Sequence, residues 1–430
     1  MLKRLQFLQN TDKFYGLADS ALLSGYRFAC GLAIARIGGA ELFASFILLM
    51  TTSIIFQILP STAYLIPLLN KGTGANPAVY GALCSWAQRG VERAALVFLP
   101  VGVLCTYILI PGQFSIATSV GFALAASSQL LQSAARTRLQ IEFKLSSAFS
   151  IDLVSILVHC LVSVTLWLQC GSILTAYWFG SFAAAAFGIV RMRLQATSVS
   201  TGAQIEQTPI LDRAKADGRS MFKGSIANSV CSRIQPYLLG IFSTPETLAF
   251  YGVIWTLIGP IRLLIMAVSN LLRPRLALYV NQSRIDDFAR TLRLSYALIL
   301  ITTLLAAPLS LVFGSNLTLV LFGPELAAAG KWLSLGIVYA GLDAFTSCQM
   351  IGAQTRLVCG AQLTARLRIQ SALIAVPLFI LGTLQFGLVG SISSLIIAEL
   401  YYAIGCATRA PLTPSTEKYT TEQAQLNAPT

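Results

Sequence analysis

The chain has 430 residues, 55% of them hydrophobic and only 11% charged, with a mean hydropathy of +0.71 and a formal charge of +13. A soluble domain carries roughly a quarter charged residues, so a soluble enzyme or binding module is excluded. The positive excess lies between apolar runs, where it sets topology, so a nucleic-acid partner is not expected.

Apolar runs about as long as a bilayer-crossing helix recur along the whole chain. They are continuous rather than alternating, which argues for helices and against a β-barrel. Twelve spans are expected, at about 21–37, 43–69, 94–111, 114–134, 147–168, 172–190, 224–242, 248–272, 294–313, 331–353, 369–385 and 387–408. The first follows a basic lead (Lys3, Arg4, Lys13) and reads as an uncleaved start helix. The second contains Pro60 and Pro67 and should kink or end there. The sixth carries Gly180, Ser181 and Ala183–Ala186, a small-residue face suited to close helix packing.

The stretch 191–223 is polar and reads as a cytoplasmic linker between two six-helix lobes, 1–190 and 224–408. After it, Arg233 to Tyr279 reads as two helices joined by the turn Ser243-Thr244-Pro245-Glu246 and closed by Pro274. An earlier copy exists. Glu41 to Phe46 matches Glu246 to Tyr251, and Arg27 precedes the first as Arg233 precedes the second. Such a duplication suggests a two-lobed transporter. The short apolar piece Asn316 to Phe322 is expected to be re-entrant or interfacial, and the tail 409–430 disordered.

Lysine and arginine set the orientation. With the N-terminus in the cytoplasm, 25 of the 30 basic residues fall inside, among them Arg136 and Arg368, and only Arg36 and Lys331 fall outside. Both termini are then cytoplasmic. Arg27, Arg233 and Arg262 remain within spans. The nine cysteines form no CxxC pair, and the single histidine rules out a His-rich centre. No cofactor, metal site or catalytic constellation is expected, and no P-loop is present to bind ATP.

IARIGGAELFASFILLMTTSIIF, with Ala35, Arg36, Gly38, Glu41, Phe43, Ala44 and Phe46, resembles the first-helix signature of the multidrug/oligosaccharidyl-lipid/polysaccharide exporter superfamily. Gly240 to Pro274 is similar to that superfamily's central turn-and-helix pattern. LFGPELAAAG at 321–330 and FGLVGSISSLIIAEL from Phe386 look like the C-terminal half of its polysaccharide flippases. The resemblance implies an all-α fold of about twelve transmembrane helices in two pseudo-symmetric lobes around a central cavity. It also implies a bacterial inner-membrane flippase for an undecaprenyl-pyrophosphate-linked oligosaccharide, serving O-antigen, capsule or exopolysaccharide synthesis. Membrane lipids, a polysaccharide polymerase and chain-length proteins would be its partners. Relatives carry an acid near the middle of the seventh helix, where this chain has Gln235 and Pro236.

A pyrophosphate crossing hydrocarbon needs compensating cations, and arginine stays charged and grips phosphate oxygens bidentately. A buried charge costs about 2.5–3.5 kcal/mol on insertion scales. Arg27, Arg233 and Arg262 are therefore the headgroup candidates, against the alternative that they snorkel or pair with acids. Arg36 reads as a local anchor that could pair with Glu41. Asp152 and His159 lie seven apart on one helix face and could bind a cation, relay a proton or pair with arginines; Asp343 could do the same or serve structurally. Glu399 reads as a structural partner. Tyr177, Trp178 and Trp255 are aromatic packing groups before they are sugar platforms. A cation-coupled multidrug exporter is the competing function, disfavoured by buried arginines. A membrane glycan polymerase ranks last, because every outer loop is short.

Overall fold

The computed structural model describes residues 2–72, 77–110, 115–142, 144–196, 209–259, 272, 276, 279, 284–357 and 360–409. Among them there is no β-strand. The helices are α1 (Leu2–Pro60), α2 (Ile66–Gly72), α3 (Pro77–Leu109), α4 (Ile116–Ile141), α5 (Leu145–Cys170), α6 (Ile173–Gln195), α7 (Pro209–Arg233), α8 (Gln235–Phe242), α9 (Pro245–Leu257), α10 (Ile285–Phe322), α11 (Leu333–Arg356) and α12 (Gly360–Arg409). The chain folds as two compact units, Met1–Ile226 with Thr244–Gly252, and Ala227–Ser243 with Val253–Thr430.

Two of these helices each contain two spans. α1 bends at Gly39 (φ 69°) and α12 at Gly387 (φ 55°). Only glycine adopts such positive φ without a side-chain penalty. The expected weak point at Pro60 is a π-helical turn, Ser61–Leu65, where the N–H of Ile66 reaches back to Ser61 O. Proline removes one ladder bond, and widening the next turn re-pairs the backbone.

The seventh span is interrupted between Arg233 and Gln235, where Pro236 occupies the first turn of α8. Gln235 is fully buried, and its Nε2 donates to Cys231 O at 2.8 Å. The side-chain amide thus caps a carbonyl that the interrupted helix would leave open. The following turn, Ser243 and Thr244, falls where the sequence puts it, with Glu246 in the first turn of α9. Pro274 lies outside the described residues.

One expectation is corrected. Asn316 to Phe322 is neither re-entrant nor a separate interfacial piece. It is the end of α10, which continues through Pro308 to Phe322. Gly323 (φ 92°) stops it, and a 3-10 helix, Pro324–Trp332, folds back so that Thr318 Oγ1 donates to Ala327 O at 2.8 Å. Gly314 does not break this run: it lies against the Gly330 carbonyl, where a Cβ would overlap, so close packing of the 3-10 helix holds the glycine in the helix. Residues 209–223 are helical as well, the opening turns of α7, tied down by Ala214 in an apolar cluster with Leu68, Leu83 and Ala87.

Outward faces are strongly apolar. Leu161 and Leu168 on α5 and Leu311 and Val312 on α10 are each two-thirds or more exposed. Lipid tails give these faces their solvent. Within each unit packing relies on close approach of small residues rather than on a hydrophobic force. Gly180 is an example: a Cβ there would overlap His159 and Ser163 of α5.

Candidate functional site

The first unit contains a cavity of about 130 Å³, open enough for several waters. Each wall is a helical stripe. α4 contributes Gln129, Gln132, Ser133 and Arg136, at i, i+3, i+4 and i+7. α5 contributes Asp152, Ser155, Ile156 and His159 at the same spacing. α6 supplies Tyr177, Ser181, Ala184 and Ala185, and α1 supplies Leu23, Tyr26, Arg27 and, beyond its bend, Gln57. Residues so spaced share one helix face, so four amphipathic stripes facing inward make a polar chamber inside an apolar bundle.

The charges alternate. Arg136 is in contact with Asp19, and its Nη2 lies 3.5 Å from Asp152. Asp152 accepts from Gln132 Nε2 at 3.3 Å, while its Oδ2 accepts no hydrogen bond among the described residues. It also feels the charge of Arg27. Arg27 makes no ion pair among the described residues, although it lines the same cavity. Arg27, Arg136 and Asp152 thus share the chamber, with Arg136 held by Asp152 and by Asp19 beside it, and Arg27 in no ion pair among the described residues.

Deeper in, His159 is clamped by rings. Tyr26 meets it edge-on at 5.3 Å and Tyr177 lies 4.9 Å away, with Ser181 Oγ 3.4 Å from Nε2. A small amide network continues the polar lining: Gln57 Nε2 donates to Gln129 Oε1 at 2.6 Å, and Ser53 Oγ donates to the same oxygen at 3.3 Å. Amides and hydroxyls of this kind suit the hydroxyl-rich surface of a sugar.

Of the sequence candidates, Arg27, Asp152 and His159 therefore line one cavity. Arg233 is half-buried at the end of α7, in the second unit. Arg262 lies outside the described residues. Asp343 is on α11, in the electrostatic field of Arg368. Trp178 is fully buried, stacked edge-on against Phe122 at 4.8 Å, and Trp255 packs on Tyr339 at 5.2 Å.

Two residues assigned to loops belong to the interior, and this is a correction. Arg136 lies in α4, at the cavity. Arg368 lies in α12 with its side chain 7% exposed, 2.5 Å from Glu399 Oε1 and 3.9 Å above the Tyr402 ring. Thr346 Oγ1 donates to the other Glu399 oxygen at 2.8 Å. A positive-inside count assigns every arginine near a helix end to the loop, because it sees sequence distance and not the direction of the side chain. The spacing of Gln129, Gln132, Ser133 and Arg136 was the available signal for the α4 wall.

Comparison with descriptions of protein families finds no match, and comparison with curated proteins finds none. Solved structures do match. The eukaryotic MATE transporter AtDTX14 superposes with a TM-score of 0.67 at 14% identity, covering 98% of this chain and 99% of that one. The Vibrio cholerae MATE transporter VcmN in the bent form gives 0.62 at 14% identity, covering 96% and 99%. The lipid II flippase MurJ, in an inward closed conformation, gives 0.60 at 12% identity, covering 94% and 86%. The chain has the fold of these transporters, an all-α multi-pass membrane fold of about twelve helices in two lobes.

Proposed function

We propose that this protein is a bacterial inner-membrane transporter that moves an undecaprenyl-pyrophosphate-linked oligosaccharide for O-antigen, capsule or exopolysaccharide synthesis, by alternating access of its lobes. The observation that supports this most is Arg27, a guanidinium without an ion-pair partner among the described residues, on the wall of a chamber lined by Gln57, Gln129, Gln132 and Ser133. A guanidinium meets phosphate oxygens and amides meet sugar hydroxyls. In this reading Arg27, Arg233 and Arg262 receive the headgroup, while Asp152, His159 and Asp343 serve coupling or charge pairing. Membrane lipids, a polymerase and chain-length proteins are its partners. That a lipid II flippase shares the fold lends fold-level support only.

A second reading rests on Asp152, a carboxylate on the chamber wall that suits a cationic drug, and on Asp19 in contact with Arg136 of the same wall. MATE transporters share the fold equally. Against it, both carboxylates already face Arg136, so a cationic cargo would meet neutralised acids.

The test is flipping of a lipid-linked oligosaccharide in vesicles holding the purified chain. Arg27→Ala should slow it about tenfold or more, the scale of a lost charge-assisted hydrogen bond, with Arg27→Lys partly restoring it. Wild-type flipping by a correctly inserted Arg27→Ala variant would overturn the headgroup role. Dye efflux abolished by Asp152→Asn, in a chain that flips no glycolipid, would establish the second reading instead.

A further inference from the structure

The second unit holds another cavity, of about 310 Å³, at the low end of ligand-pocket volumes (~300–1,000 Å³). It lies between α10, α11 and the end of α12. Its floor is apolar and aromatic, with Phe288, Leu292 and Tyr296 from α10 and Phe345 from α11. Gln349 and Arg356 are its polar members on α11. The Oε1 of Gln349 is buried and accepts no hydrogen bond among the described residues.

Successive spans alternate in direction, so the start of α10, the end of α11 and both ends of α12 emerge at one membrane face. That face is strongly basic. It carries Arg284, Arg290, Arg293, Arg356, Arg366 and Arg409. Asp286 and Asp287 lie at the start of α10, and Arg284 holds Asp287 at 2.7 Å. An apolar floor, a basic membrane face and a buried acceptor with no hydrogen bond among the described residues suit a ligand with a chain, an anion and a hydroxyl.

We propose that this cavity binds one anionic phospholipid of the adjoining leaflet. A chain rests on Phe288, Leu292 and Phe345, the phosphate meets Arg356, and a headgroup hydroxyl donates to Gln349. Basic pockets between helices at a membrane face recognise anionic headgroups in this way. The inference does not depend on which cargo the protein carries, since the cavity shares no residue with the Arg27 chamber.

The test uses the full chain purified in detergent, titrated with phosphatidylglycerol or phosphatidylcholine, followed by thermal unfolding and by native mass spectrometry. Phosphatidylglycerol should raise the melting temperature and phosphatidylcholine should not. Arg356→Gln should weaken phosphatidylglycerol binding about fivefold, the scale of one basic contact at an anionic surface. Ala353→Phe, which puts a ring into the cavity, should abolish it, and the exposed control Arg366→Gln should leave it unchanged. Equal shifts from both lipids, equal losses from Arg356→Gln and Arg366→Gln, or a bound mass equal to a polyprenyl carrier would each overturn the proposal. Should Ala353→Phe fail to fold, the comparison of the two arginines decides.

Discussion

Arg368 and Glu399 show how a charge survives inside this protein. Their side chains are 7% and 2% exposed. The carboxylate takes one bond from the guanidinium and one from Thr346, and the guanidinium lies on the Tyr402 face. Each charge therefore has its partner, and removing one strands the other. Glu399→Gln should cost about 3–5 kcal/mol, whereas the double change Arg368→Met with Glu399→Leu should cost far less. Unfolding of the purified variants by heat or denaturing detergent checks both. Equal losses from the single and double changes would show that the pair contributes nothing beyond its packing. Little of this could be read in the chain: Glu399 stands out as an acid in an apolar run, but nothing local names Arg368, some thirty residues earlier, as its counter-ion.

At the scale of elements, close backbone approach decides where helices meet. A Cβ at Gly390 would overlap the carbonyl of Gly382, across the bend of α12 at Gly387, and Ser394 Oγ donates over the same gap to Leu378 O at 2.8 Å. Backbone cannot step aside as a flexible side chain can. Gly390→Val should therefore sharply lower the yield of folded protein. Gly25→Val, with no atom within 4 Å of the added carbon, should leave the yield nearly unchanged. Fluorescence-detected size-exclusion of tagged variants separates the outcomes, and equal yields would refute the argument. Gly218 is a parallel case on α7, close against the Ala63 carbonyl in the π-turn. The widened turn after Pro60 was legible, because proline acts locally, whereas the break before Pro236 was not read, and 224–242 was expected as one span. The continuation of α10 through Pro308 was not legible, because a proline's effect depends on how its neighbours repair the ladder.

At the scale of the whole molecule, the glycines with positive φ among the described residues fall at one set of ends. Gly39, Gly171, Gly323 and Gly387 all lie at turns expected outside the membrane. The basic residues gather at the opposite ends. Tight glycine turns on one face and arginine-bearing connections on the other fit a single orientation. Reporter fusions should thus show position 171 outside, and positions 143 and 204 in the cytoplasm. A fusion at 171 that is active in the cytoplasm would invert the topology.

Class, span number and the expected orientation follow from composition, hydropathy and the lysine and arginine count, since insertion into a bilayer is decided segment by segment. Which polar groups share a chamber was decided by the tertiary structure alone. Asp152 and His159 could be placed on one helix face from their spacing. That Arg27, Gln57, Gln132 and Arg136 face the same space depends on the rotation and depth of separate helices, which interhelical packing determines and no single helix encodes.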